Sequence, residues 1–187
     1  MRVLTSALFT ITLFFLTFSA HALDGMPATY QAGDTNLTLN GAGQRTKFVI
    51  TVYNAGLYLQ NKTSDPKKIL DVNEAMAIRL KIKSGFATAE KIEAALMKGF
   101  INSTRGNTGP IKPEIDQLIN TAFKATINKN DIFDLVYTPS GGTQVLKNSK
   151  VMTRIKGLPF KKALFGIWLS PKPAQSSLKA ELLGKEF

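Results

Sequence analysis

The chain has 187 residues, 44% of them hydrophobic, with 24 Lys and Arg against 13 Asp and Glu, one histidine and no cysteine. Thiolate chemistry, disulfides and Cys-based zinc sites are therefore excluded, and the single histidine leaves little room for imidazole catalysis. Residues 1–22 narrow this further. Arg2 provides a positive n-region, residues 7–18 form an apolar h-region, and Ala20-His21-Ala22 supplies a small-x-small cleavage pattern. This reads as a cleaved secretory signal peptide. The alternative, a retained anchor, would need roughly 20 apolar residues. Cleavage removes Arg2 and His21, so the domain expected from Leu23 to the C-terminus carries a net charge of +10 instead of +11 and holds no histidine at all. Export without cysteine points to a bacterial periplasm.

What remains for chemistry is Arg, Lys, Tyr, Ser, Thr and carboxylates, and no metal or cofactor is implied. The basic balance serves either as solubilising charge or as an attraction for anionic ligands and, peripherally, an anionic membrane surface. Nucleic acid is the weakest candidate, because the basic residues do not interleave with aromatics.

In chain order, Asn36-Leu-Thr-Leu-Asn40 alternates as a strand, and Gly41-Ala-Gly43 reads as its turn. Residues 45–60 are β-branched and aromatic and predict one long strand interrupted near Asn54-Ala55-Gly56. Ala77 to Lys83 alternates apolar and basic residues as a further strand. Thr88 caps a helix with the stripe Ile92, Ala95, Leu96, Gly99 and Phe100. Pro113 opens a second helix, with Ile115, Leu118, Ile119, Ala122 and Phe123 on one face. Residues 131–139 and 143–148 flank Ser140-Gly141-Gly142 as a hairpin, and 151–155 adds a strand. Pro159 opens a helix bearing Phe160, Ala163, Leu164, Ile167 and Trp168, and a short helix follows over about 174–183. The order predicts a single α+β domain, an antiparallel sheet with helices gathered mainly on one face.

Residues 41–60 carry the best candidate constellation. Strand parity puts Arg45, Lys47, Thr51 and Tyr53 on one side and Phe48, Ile50 and Val52 on the other. The polar side lines either a wet pocket or an ordinary solvent face. Gly56 suggests a bulge or a close backbone approach, which leaves Tyr58 without a defined face. On one unbroken strand Arg45 and Tyr53 would stand roughly 26 Å apart, at about 3.3 Å per residue. They would share a ligand only if the strand bends or the ligand is long. Aromatics at helical spacing, Phe160 and Trp168, read as core or as an apolar cleft wall.

Residues 41–59, GAGQRTKFVITVYNAGLYL, together with 131–145 and the segment from Gly157 to Leu169, resemble the chalcone isomerase-like family in its bacterial exported branch. The resemblance implies an open-faced β-sandwich, a large antiparallel sheet covered by helices with a ligand cleft between them. It implies either an isomerase (intramolecular lyase) closing a phenolic enone by conjugate addition, or a non-catalytic binder in which an arginine meets a fatty-acid carboxylate. Arg45 is the candidate arginine, with Thr51, Tyr53, Asn54 and Tyr58 as ligand-binding candidates. Tyr53 stands where the plant enzymes carry a threonine. A third reading is a structural or partner-binding envelope protein. A long tunnel ending at Arg45 favours the binder, a compact pocket of hydroxyls the enzyme, and a filled interior the partner protein.

Overall fold

A computed structural model describes residues 23–85 and 87–185; the expected signal peptide lies outside them. Seven strands form one antiparallel meander in sequence order: β1 (Thr29–Ala32), β2 (Thr35–Lys47), β3 (Ile50–Leu59), β4 (Met76–Ile82), β5 (Ile132–Thr138), β6 (Gly142–Lys147) and β7 (Lys150–Ile155). The helices are α1 (Pro66–Asp71), α2 (Ala89–Ser103), α3 (Lys112–Leu118), α4 (Leu158–Leu169) and α5 (Ser176–Leu182), with a π-turn at Ile119–Phe123 continuing α3. The α+β reading and its one-sided helical layer are found as expected.

Alternation sorts the sheet into two faces. Leu57 and Leu59 of β3, Ile78, Leu80 and Ile82 of β4, and Phe133, Leu135 and Tyr137 of β5 pack in one core with the helices. Phe100 of α2 meets Phe160 of α4 at 6.0 Å, and α2 approaches α4 so closely that a methyl on Gly99 would lie 2.8 Å from Ile167. Lys161 of α4 is fully buried in this layer, its ammonium donating to the carbonyls of Ile69, Leu70 and Val72 at 2.8–3.0 Å. It closes the C-terminal end of α1, where helix carbonyls lack backbone donors and a cation is favoured.

The opposite face carries a smaller cluster, Ala32, Leu37, Tyr58, Ala77 and Val136. Tyr30 of β1 reaches Tyr58 at 5.5 Å, and Arg79 lies over the Tyr30 ring at 5.1 Å while its guanidinium grips Asp134 at 2.7 and 3.0 Å. The segment 23–28 lies across this face. Buried Met26 belongs to it, and the Asp24 carboxylate accepts from Lys81 at 2.6 Å and Lys83 at 2.8 Å.

Three expectations are corrected here, all within residues 41–60. Gly41-Ala-Gly43 is not a turn but the middle of β2, which runs on to Lys47. The chain reverses at Phe48-Val49, and Lys47 pairs with Ile50. What reads as one long strand over 45–60 is thus the end of β2, a tight hairpin and β3. The glycines have another use: a methyl on Gly41 would run into backbone carbonyls of Glu181 and Leu182, and one on Gly43 into the Glu181 side chain. They let α5 lie directly on the strand. The break expected at 54–56 is absent, because Gly56 sits in regular register opposite Ala42 and Arg79. It makes room for Met26, whose sulfur would lie 2.7 Å from an added methyl. The irregularities fall at Asn40 in β2 and Val52 in β3.

Candidate functional site

The hairpin changes the distance problem posed by Arg45 and Tyr53. With the reversal at Phe48-Val49 they become direct cross-strand partners. Side chains of such a pair leave the same face with Cβ atoms about 4.5–5.5 Å apart. That face is the helical one, because Tyr53 packs on the main core. The expected separation of roughly 26 Å does not exist.

Two helices complete the surroundings. Trp168, near the C-terminal end of α4, donates its indole N–H to the Tyr53 hydroxyl at 3.0 Å. The phenol oxygen is held as an acceptor there, and its own proton stays free to be donated elsewhere. Burial pushes the Tyr53 phenol up, with the Trp168 hydrogen bond and nearby Arg45 working the other way. It is therefore a neutral donor at ordinary pH. Gln175, immediately before α5, closes the other side. Its amide oxygen accepts from Arg45 Nη1 at 2.9 Å and from the Thr46 amide at 3.0 Å, and its amide nitrogen donates to the Gln44 carbonyl at 3.1 Å. Arg45 also donates to the carbonyl of Thr46. One edge of the guanidinium is thus occupied by neutral oxygens that a carboxylate could replace with a charge-assisted pair.

The remaining sequence candidates divide. Thr51 lies half-buried opposite Thr46, beyond the Val52 bulge that separates it from the Arg45–Tyr53 pair. Asn54 and Tyr58 leave it altogether. Asn54 accepts from Gln44 at 3.3 Å and donates to the Asp24 carbonyl at 2.9 Å, and Tyr58 belongs to the smaller cluster on the opposite face. Their parity opposes that of Tyr53, so no ligand on the helical face touches both sets. Thr46 and Gln175 were missed. Gln175 lies 130 residues from Arg45, with only its place before a helix to mark it, which is no signal of contact.

The layer between sheet and helices is filled. Ala55, Leu57, Phe100, Phe133, Phe160, Phe165 and Trp168 are buried within it. A cavity of about 70 Å³ lies between α1 and the strands, bordered by Leu59, Ile69, Val72 and Met76, and an open depression of about 430 Å³ lies beside Asp24, Met26 and Arg79. Neither borders Arg45 or Tyr53.

Comparison with known proteins follows this geometry. A sequence model of the family described as chalcone isomerase-like matches residues 22–184. Comparison with curated proteins finds no match. Among solved structures, the chain is similar to a crystal structure of a fatty-acid binding protein from Arabidopsis thaliana, with TM-score 0.67 and 17% identity over 84% of this chain and 90% of that one.

Proposed function

Because the chain belongs to the chalcone isomerase-like family, we propose that it binds a small amphipathic anion, a fatty acid foremost, whose carboxylate is held between Arg45 and Tyr53 in the periplasm. The observation that carries this reading is the β2–β3 register, which sets a guanidinium and a neutral phenol donor side by side beneath α4 and α5. The similar Arabidopsis structure is that of a fatty-acid binding protein. The carboxylate would take the place of the Gln175 oxygen on Arg45 and accept the Tyr53 proton. The acyl chain would run along Ala55 and Leu57, and the helical layer must part to admit it. An isomerase would need either a group to move protons near pH 7 or a substrate phenol that ionises itself, and a Tyr53 pushed up by burial and tied to Trp168 does not supply the former.

The filled layer favours a second reading, in which the domain acts through a protein partner and its cleft is vestigial. Calorimetric titration of a long-chain fatty acid and of a hydroxychalcone into the wild type, Arg45→Ala and Arg45→Lys separates the cases. The binder predicts saturable fatty-acid binding, weakened by about 1.5–3 kcal/mol in Arg45→Ala and partly recovered in Arg45→Lys, which keeps the charge and loses the planar fork. Equal affinity in all three removes Arg45 from the site. Absence of binding by either probe supports the partner reading, and turnover of the chalcone lost in Arg45→Ala supports the isomerase.

A further inference from the structure

The hairpin that assembles the Arg45 pair ends in an unusual turn. Phe48 and Val49 are 91% and 98% exposed, and Ile50 beside them is exposed as well. Phe48 also has φ of 54°, the left-handed region, at the first of two loop residues. Tight hairpins with one positive φ at that place favour glycine there, and a bulky side chain there is strained. A strained backbone costs stability and a wholly solvated aromatic ring contributes none, and neither is needed to reverse the chain. Exposed apolar groups at a protruding tip mark a contact surface.

The charges around the tip decide what it meets. Lys47 adjoins Phe48, and Lys172 stands in the α4–α5 connection three residues before Gln175, which bonds Arg45 and Thr46. Both are exposed, and neither makes an ion pair among the described residues. Lys83 donates its backbone N–H to the Val52 carbonyl at 2.9 Å, and with Lys81 it brackets Asp24, a trio of net charge +1. The acidic group on this flank, Glu181, accepts from the Gln44 amide at 3.2 Å, on the side of Arg45 away from the tip. The tip is therefore an apolar point in a basic collar. Two identical tips would repel each other, and two or three side chains fall far short of the roughly 800 Å² per partner that a stable protein interface buries. Apolar side chains that enter the acyl boundary, with cations left at the headgroups, suit an anionic bilayer.

We propose that the β2–β3 hairpin tip is a membrane-docking element, with Phe48 and Val49 entering an anionic lipid surface and Lys47 and Lys172 resting on its headgroups. This contact does not depend on whether Arg45 takes a carboxylate. The test is sedimentation of the chain from Leu23 onward with vesicles of phosphatidylcholine alone or mixed with phosphatidylglycerol. The wild type is expected to partition onto the mixed vesicles, less so at high salt, and weakly onto phosphatidylcholine. Phe48→Ser with Val49→Ser should lower partitioning at least about tenfold, or roughly 1.4 kcal/mol. Phe48→Gly separates docking from folding, because glycine relieves the left-handed strain and should melt no lower than the wild type while still losing the vesicles. Unchanged partitioning in Phe48→Gly, or equal wild-type binding to both vesicle types, overturns the proposal. So does a tip substitution that alters oligomeric mass and not lipid binding.

Discussion

Gln175→Ala should move stability and ligand affinity in opposite directions. Gln175 joins the α5 entrance to β2 by four inter-element hydrogen bonds, from Arg45, the Thr46 amide and, at a long 3.5 Å, the Thr46 hydroxyl to its oxygen, and from its nitrogen to Gln44. Each is worth about 0.5–1.5 kcal/mol, and this half-exposed site lets water replace part of that. A loss of about 1–2 kcal/mol follows, or roughly 2–8 °C in melting temperature for a domain of this size. Yet a carboxylate reaching Arg45 no longer has to displace the amide oxygen, so it saves one partly solvated hydrogen bond between the guanidinium and an uncharged acceptor. Affinity for a long-chain fatty acid should therefore rise about two- to tenfold. Calorimetric titration beside a melting curve reads both quantities on one preparation. An affinity that falls in step with stability would mean that Gln175 touches the ligand or merely shapes the fold, and would refute the displacement argument. Unchanged affinity would place the anion elsewhere.

Two further outcomes test parts of the molecule away from this site. The Asp24 carboxyl is held down to about 2, against its ordinary 3.8, by hydrogen bonds from Lys81 and Lys83. The folded chain then binds fewer protons than the unfolded one between these values, so stability present above about pH 4 is lost as pH falls toward 2. In Asp24→Asn an acid series of melting curves should show a shallower fall, not a flat one, because Asp71 is held similarly by Lys67 and Lys162. A slope identical to that of the wild type counts against the Asp24 clasp. Lys161→Met keeps the apolar stem but leaves the Ile69, Leu70 and Val72 carbonyls without their donor. It should cost about 1.5–3 kcal/mol in denaturant unfolding, and an unchanged midpoint would show that α1 closes without it.

Alternation and capping made most of the elements legible. Ala77–Lys83 declared its strand, Thr88 caps α2 as read, with its side chain accepting from the Lys91 amide, and Pro159 stands at the start of α4. The β2–β3 hairpin was hidden because its turn lacks turn chemistry. Phe48-Val49 reads as strand interior, whereas Gly41-Ala-Gly43 carries the composition of a turn and serves α5 instead. That single misplacement propagated to the site, turning a cross-strand pair into a distant one and leaving Asn54 and Tyr58 among the candidates. β1 and α1 escaped because four and six residues are too few to display a period. Arg45 and Tyr53 were found by strand parity, and the family resemblance of residues 41–59 gave Arg45 its expected role. Gln175 was not, since side-chain pairs 130 residues apart leave no local mark.

The sheet is a meander, each strand bonding to its neighbour in sequence, so most of its closures are short-range and inexpensive in loop entropy, the long β4–β5 connection through α2 and α3 excepted. The seating of α5 on the glycine face of β2 is the opposite, a junction spanning nearly the whole domain. In a chain synthesised from its N-terminus, the sheet has its residues in hand well before residues 175–182 emerge. Arg45 thus acquires its roof last, when Leu178 and Leu182 of α5 seat in the main core and Asn40 donates to the Leu182 carbonyl.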